Sequence, residues 1–296
     1  MSTIGFIGLG NMGAPMVANL VKFGERVLGF DVVAAACQAA ARDGVQIAAS
    51  ARGAVESADI VVSMLPAGEH VLSVWKDVLP AANKGALFID CSIIDVASAR
   101  RAHALAAEHG VAALDAPVSG GVGGAKAATL TFMVGGSAEA FARGKPILER
   151  MGKRIVHCGA AGNGQAAKIC NNMILGASMI AVGEAFVLGE KLGLSHQALF
   201  DVASASSGQC WSLTSYCPVP GPVPASPANN GYKPGFAAAL MLKDLNLARA
   251  AAESVGAQTA IGAHAAEIYE RFAQEGHGGL DFSAIITLVR EQSRRQ

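Results

Sequence analysis

The chain has 296 residues, 52% of them hydrophobic and 16% charged, which is apolar material for one large domain or two ordinary ones and far from a disordered composition. Its 23 Lys and Arg balance 23 Asp and Glu, so there is no basic excess of the kind a nucleic-acid partner needs. No basic stretch precedes the first apolar run, and the longest apolar run, MILGASMIAVG, is well short of the ~20 residues of a bilayer span. None of the six cysteines forms a Cys-x-x-Cys pair or a zinc-like set. The expectation is a cytoplasmic protein with free thiols, no metal and no membrane partner.

Residues 3–8 read as a strand. An amphipathic helical stretch over 12–23 follows, then a second strand, ERVLGFD, ending at Asp31. Residues 59–66 and 86–92 repeat the strand pattern, with Ala-rich helical segments between; VAALDAPVSG and LTFMVGG are further strand candidates. Strands alternating with helices predict an α/β unit, a parallel sheet with helices on both faces. GAAGNGQ then reads as a glycine-rich hinge. After it, residues 165–192 carry few charges and no turn cluster, which predicts one long helix, apolar nearly all round and buried between domains or subunits. Residues 197–203, 236–255 and 257–272 also have helical periodicity. The expected division is a dinucleotide-binding domain over 1–161 and an all-helical domain over 162–296. Six of the eleven prolines lie between Cys217 and Phe236; this long loop is either functional or a plain surface excursion.

GLGNMG, residues 8–13, falls between the first strand and the first helix. In a dinucleotide-binding turn Gly8 permits the tight bend, Gly10 lets the backbone approach a pyrophosphate, and Gly13 lets helix and strand pack closely. Leu9, Asn11 and Met12 complete the loop, and the helix N-terminus offers N–H groups and partial positive charge to phosphates. Asp31 stands 18 residues after Gly13, where a carboxylate accepts ribose hydroxyls and repels a 2′-phosphate, favouring NAD over NADP. The bland alternative is a tight turn followed by a strand-end acid. SMLPAG (63–68) and DCSIID (90–95) fall where the third and fourth strands end, the rim at which such sheets bind ligands.

A bound dinucleotide implies hydride transfer, and at an alcohol that needs a proton acceptor. The Tyr-x-x-x-Lys pair is absent, and the seven histidines are scattered. Lys168, in GNGQAAKICNNM, is the only charged residue between Arg154 and Glu184. Burial lowers a lysine's pKa toward the range where acid/base work is efficient. Asn172, four residues on, shares its helix face and is placed to orient the amine or the substrate. An exposed, snorkelling lysine is the alternative. Ser119 with the N–H groups of Gly120 and Gly121 forms a candidate carboxylate cradle, or only a loop. Lys243 either brings positive charge to cofactor or substrate or is an ordinary exposed lysine.

GFIGLGNMG, LDAPVSGGVGGA, GNGQAAKICNN and LMLKDL occur in this order, and over essentially its whole length the chain resembles the β-hydroxyacid dehydrogenase family. SMLPAG, CSIIDV, SSGQCWSL and the loop running to NNGYKPGF resemble most the branch acting on 3-hydroxyisobutyrate. The resemblance implies an N-terminal Rossmann domain, an all-α C-terminal domain built on a long interdomain helix, and homodimers or homotetramers. It implies oxidation of a small 3-hydroxy acid, 3-hydroxyisobutyrate, to methylmalonate semialdehyde with NAD, in valine breakdown. Lys168 is then the acid/base, Ser119, Gly120, Gly121 and Asn172 hold the substrate, and Leu65, Pro66, Ser92, Ile93, Phe236 and Lys243 join the glycine loop at the cofactor. The Trp211 region is a candidate seat for the substrate methyl. Relatives commonly carry Cys-Ser-Thr where this chain has Cys91-Ser92-Ile93, so one hydrogen bond, about 1 kcal/mol, is expected to be missing. Two alternatives stand: a sister enzyme acting on tartronate semialdehyde or another small 3-hydroxy acid, and a non-catalytic dinucleotide-binding module, which would need neither Lys168 nor Asn172.

Overall fold

The computed structural model describes residues 2–294, and the chain divides into two units, Met1–Lys168 and Ile169–Gln296. The first is built on the strands β1 (Thr3–Ile7), β2 (Arg26–Phe30), β3 (Gln46–Ile47), β4 (Ile60–Ser63), β5 (Leu87–Asp90), β6 (Ala112–Asp115), β7 (Val118–Ser119), β8 (Leu130–Gly135) and β9 (Gly152–Gly159). They form one sheet in the order β3-β2-β1-β4-β5-β6-β8-β7, with β9 on β8. From β3 to β6 every pairing is parallel, but β6 and β7 meet β8 antiparallel. The parallel sheet expected from the sequence is present from β3 to β6, and this edge alone departs from it. The cause is length: only residues 120–129 join β7 to β8, fewer than the dozen or so a parallel crossover requires. The strand β9, parallel to β8, was not expected from sequence, because residues such as Lys153 and Arg154 break its apolar pattern with exposed charge.

The helices of this unit are α1 (Gly13–Lys22), α2 (Ala34–Arg42), α3 (Ala51–Val55), α4 (Gly68–Val78), α5 (Val96–Glu108), α6 (Gly121–Lys126) and α7 (Ala138–Leu148). Strand residues alternate between two cores, as a period of two dictates. Ile60, Val62, Leu87 and Ile89 pack with Met16, Val17 and Leu20 of α1. Val61 and Phe88 point the other way, to Val71, Trp75 and Val78 of α4. Helix starts are capped locally: the Asp95 carboxylate accepts the Ser98 N–H at 2.7 Å, and Ser137 accepts that of Ala140.

Helix α8 (Asn163–Lys191) begins in the first unit and continues into the second, where α9 (His196–Ser204), α10 (Trp211–Thr214), α11 (Ala238–Val255), α12 (Ala260–Phe272) and α13 (Ile285–Arg294) follow. Among the described residues of this unit the only β pairing is an isolated bridge between Ala237 and Asp281. Its interior gathers Met179, Ile180, Met241, Leu245, Tyr269, Phe272 and Phe282, with Phe186, Val187, Leu213, Val219 and Ile286 in a second cluster. By length and composition α8 is long and apolar enough to cross a membrane, yet half of its most apolar window is buried within the protein, as in the core helix of a globular unit. Ile174 and Leu188 are exposed apolar residues on it, and Leu192 is exposed just past its end.

The proline-rich segment is ordered by its own groups. Ser226 Oγ donates to the Cys217 carbonyl at 2.5 Å and Tyr232 Oη to the Pro218 carbonyl at 2.8 Å. Asn229 Nδ2 donates to the Val223 carbonyl at 2.8 Å, and the Gly221 N–H donates to Asn229 Oδ1 at 2.9 Å. Backbone that cannot join a helix is thereby satisfied, in the manner of a closed surface loop.

Candidate active site

The glycine turn has a separate steric reason at each position. Gly8 sits at φ +98°, and a Cβ there would lie 2.2 Å from the Met64 carbonyl oxygen. A Cβ on Gly13 would lie 1.9 Å from the Gly8 carbonyl oxygen, so helix and turn could not close up. At Gly10 the space a Cβ would enter is open, with no atom within 4 Å. Helix α1 starts beside it with no side-chain cap and no acid in its first turn, leaving N–H donors for an anion. This cradle fits a pyrophosphate. Asp31 is half-buried after β2; its Oδ2 accepts the Leu9 N–H at 2.7 Å and its Oδ1 the Val33 N–H at 2.8 Å. The carboxylate therefore ties the glycine turn to the strand that would meet the ribose, and the Leu9 N–H is spent on it while the Leu9 side chain lies in the core.

Ser63, Asp90 and Asp115 are register neighbours at the ends of β4, β5 and β6. Asp90 is buried, and its Oδ1 accepts from Ser63 Oγ at 2.7 Å and from Ser92 Oγ at 2.6 Å. Trp75 Nε1 donates to Ser63 Oγ at 3.1 Å, and Ser92 Oγ accepts the Leu65 N–H at 2.8 Å. Both rim loops, 63–68 and 90–95, are thus fastened to one carboxylate. The other oxygen of Asp90 is buried without a hydrogen-bond partner. Burial, helped by nearby Asp115, pushes Asp90 up to about 6, against the hydroxyls of Ser92 and Ser63 that hold it down. Pro66 is exposed, and Leu65 and Ile93 are half-buried.

Ser119 ends β7, and Gly120 and Gly121 follow at φ +133° and +60°, backbone that L side chains rarely adopt. Asp115, four residues earlier, receives the start of α8: the Gly162 N–H at 2.8 Å on Oδ1 and the Gln165 N–H at 3.0 Å on Oδ2. Lys168 lies on the second turn of α8 and is only 5% exposed, so it is not a snorkelling surface lysine.

In the second unit Asn172, on α8, is buried; its Nδ2 donates to Asp244 Oδ2 at 2.5 Å, and its Oδ1 accepts from Asn171 Nδ2. Asp244 is buried on α11, with the Lys243 ammonium 3.8 Å from its Oδ1. Trp211 opens α10, 51% exposed and stacked on Tyr216 with ring centroids 4.9 Å apart. It is therefore not plain core. The Phe236 ring meets Phe282 edge-on. Asp281 Oδ2 accepts the N–H groups of Gly235 and Phe236, at 2.9 and 3.1 Å, and the Tyr216 hydroxyl at 2.9 Å.

Residues 3–159 match a family model described as the NAD binding domain of 6-phosphogluconate dehydrogenase. Residues 162–289 match one described as NAD-binding of NADP-dependent 3-hydroxyisobutyrate dehydrogenase. A solved structure of Mycobacterium tuberculosis 3-hydroxyisobutyrate dehydrogenase with L-serine shares 57% identity and a TM-score of 0.96, over 98% of this chain and 99% of that one. The chain belongs to the 3-hydroxyisobutyrate dehydrogenase family. Two further relatives are from Pseudomonas aeruginosa. Its 3-hydroxyisobutyrate dehydrogenase is 51% identical over 98% of this chain and 99% of its own; its NAD-dependent L-serine dehydrogenase is 46% identical over 96% and 97%. The family is one of NAD-dependent oxidoreductases, and the open cradle at Gly10 with an acid after β2 suits that cofactor.

Sequence reasoning about this family's site gave no role to Gln165, Asp244 and Asp281, and met Asp90 and Asp115 only as letters of a motif. A signal was present for two of them. LGFD, LFID and AALD are apolar runs that each end in aspartate, and an acid recurring at strand ends marks one rim of a sheet.

Proposed function

We propose that this protein oxidises 3-hydroxyisobutyrate to methylmalonate semialdehyde, with Lys168 as the acid/base. The observation that carries this is the burial of Lys168 on α8, whose first turn is fastened to the strand leading into residues 119–121. In this reading the substrate carboxylate rests on Ser119 Oγ and the N–H groups of Gly120 and Gly121, near Asn172. Lys168 Nζ, in its neutral form, accepts the hydroxyl proton as the carbinol C–H bond breaks, and returns it in the reverse direction. Bound NAD supplies the hydride acceptor. Gly8, Gly10, Asn11, Met12 and Gly13 hold the pyrophosphate, Asp31 the adenine ribose, and Leu65, Pro66, Ser92, Ile93, Phe236 and Lys243 the remainder. Trp211 takes the substrate methyl.

L-Serine is a second reading. It too is a small 3-hydroxy acid, one relative is named for it, and a structure of another was solved with it. One methyl in a pocket discriminates by only ~1–3 kcal/mol. The protein is further proposed to be cytoplasmic and to form a homodimer or homotetramer, the assembly being supported by exposed Ile174 and Leu188 on α8 and Leu192 just past its end. The deciding experiment is steady-state kinetics on 3-hydroxyisobutyrate, L-serine, glycerate and 3-hydroxypropionate, each with NAD and NADP. The highest kcat/KM is expected for 3-hydroxyisobutyrate with NAD. A higher value for L-serine or glycerate overturns the substrate assignment, and NAD binding without turnover of any substrate overturns the enzymatic one.

A further inference from the structure

We infer that Asp115 and Gln165 are positioning residues for the proton transfer: together they set where α8 begins and how it is rotated, and hence where Lys168 presents its amine. This rests on the reading of Lys168 as acid/base.

The first N–H groups of a helix have no intrahelical partner, and a carboxylate placed there gains charge-assisted bonds and a favourable dipole. Asp115 takes two of them, from Gly162 and Gln165, and His103 Nε2 lies 3.0 Å from its Oδ1. Two glycines allow the contact. A Cβ on Gly135 would lie 2.5 Å from Asp115 Oδ1, and one on Gly164 would lie 2.3 Å from the Met133 carbonyl oxygen and 2.6 Å from that of Asp115. The helix start therefore abuts β6 and β8 directly, with no side chain between.

Gln165 makes the second tie. It is fully buried, its Nε2 donates to the Ser92 carbonyl at 2.7 Å, and its Oε1 accepts the Ile94 N–H at 3.2 Å. A primary amide carries both a donor and an acceptor, so one side chain reads a C=O and an N–H two residues apart. The loop it reads is the one assigned above to the cofactor. Lys168 follows Gln165 by three residues and so shares its helix face. Rotation of α8 is thus referenced to the cofactor loop, and its start to β6, the strand just before the one that carries Ser119.

The test is kinetic, with 3-hydroxyisobutyrate and NAD. Gln165→Met keeps length and burial but makes neither bond. Because small misplacements of reacting groups are costly, its kcat is expected to fall roughly 30-fold or more, with KM changed less than about threefold. Gln165→Glu keeps the acceptor for Ile94 and, when protonated, regains the donor to Ser92. Its kcat relative to the native enzyme should therefore rise as the pH is lowered from 8 to 6, a trend Gln165→Met should lack. Asp115→Asn turns one oxygen into a donor facing N–H groups and should lower kcat likewise. A Gln165→Met enzyme with kcat within about threefold of native, or identical pH trends in the two Gln165 variants, overturns the inference. If Gln165→Met does not fold by circular dichroism, the pH trend of Gln165→Glu decides alone. Lys168→Ala is run alongside. If it remains active, the acid/base reading fails; if it is inactive while Gln165→Met is unimpaired, only the positioning role fails.

Discussion

Two buried aspartates organise the two units; both gather groups some 45 to 65 residues away in sequence, but from different settings. Asp115 receives groups at the start of α8 about fifty residues later, but it stands at a strand end that the alternation of strands and helices already sets on the rim. Asp281 gathers a phenol, the end of the proline-rich loop and its own helical turn: Tyr216 Oη, the N–H groups of Gly235 and Phe236, and Ser283 Oγ and N–H. The first unit inherits its site from sheet topology. The second carries Asn172, Trp211 and Lys243 on helices but Phe236 at the end of a loop without strand or helix periodicity, and there a single side chain fixes the backbone.

That contrast predicts different losses. Asp281→Ala leaves several buried donors without an acceptor, each costing about 1–3 kcal/mol, so chemical denaturation should show a loss of about 4 kcal/mol. A loss under about 1 kcal/mol would break the contrast. The next largest effect concerns Asp90. Its folded-state pKa, about 6 against an ordinary 3.8, means the fold holds that proton more tightly than the unfolded chain does. Its contribution therefore destabilises the fold above pH 6, and the penalty is relieved as the pH falls through 6 toward 4. Asp90→Asn removes the titration. Between pH 7.5 and 4.5 its stability relative to the native protein should fall by about 2 kcal/mol, with the variant favoured at the higher pH. A difference independent of pH contradicts this. The smallest effect is at Ile93. Ile93→Thr should tighten NAD binding by about fivefold, the equivalent of one net hydrogen bond near 1 kcal/mol; unchanged calorimetric affinity would mean the ribose makes no contact there.

The parts of the molecule that were legible are those whose physics is local. GLGNMG announces a turn that needs glycine for three distinct reasons, and a lone lysine in an apolar helix announces burial. The antiparallel edge at β8 was not legible, because it depends on counting a connection whose ends were not yet known. Strand β9 was hidden by its exposed charges. Asp244 and Asp281 were hidden by distance: Asp244 meets Asn172 from 72 residues away and Asp281 meets Tyr216 from 65, and no local pattern marks either pair. The proline-rich loop read as structureless because its order comes from side-chain hydrogen bonds and not from periodicity.

Everything catalytic in this account passes through the amine at position 168. The most direct measurement is the turnover of Lys168→Ala with 3-hydroxyisobutyrate and NAD, beside its NAD affinity and its melting curve. General acid/base groups contribute about 10²–10⁴ to a rate, so kcat should fall by about that factor while NAD affinity and melting stay near native values. A folded Lys168→Ala that binds NAD and turns over at the native rate contradicts the account.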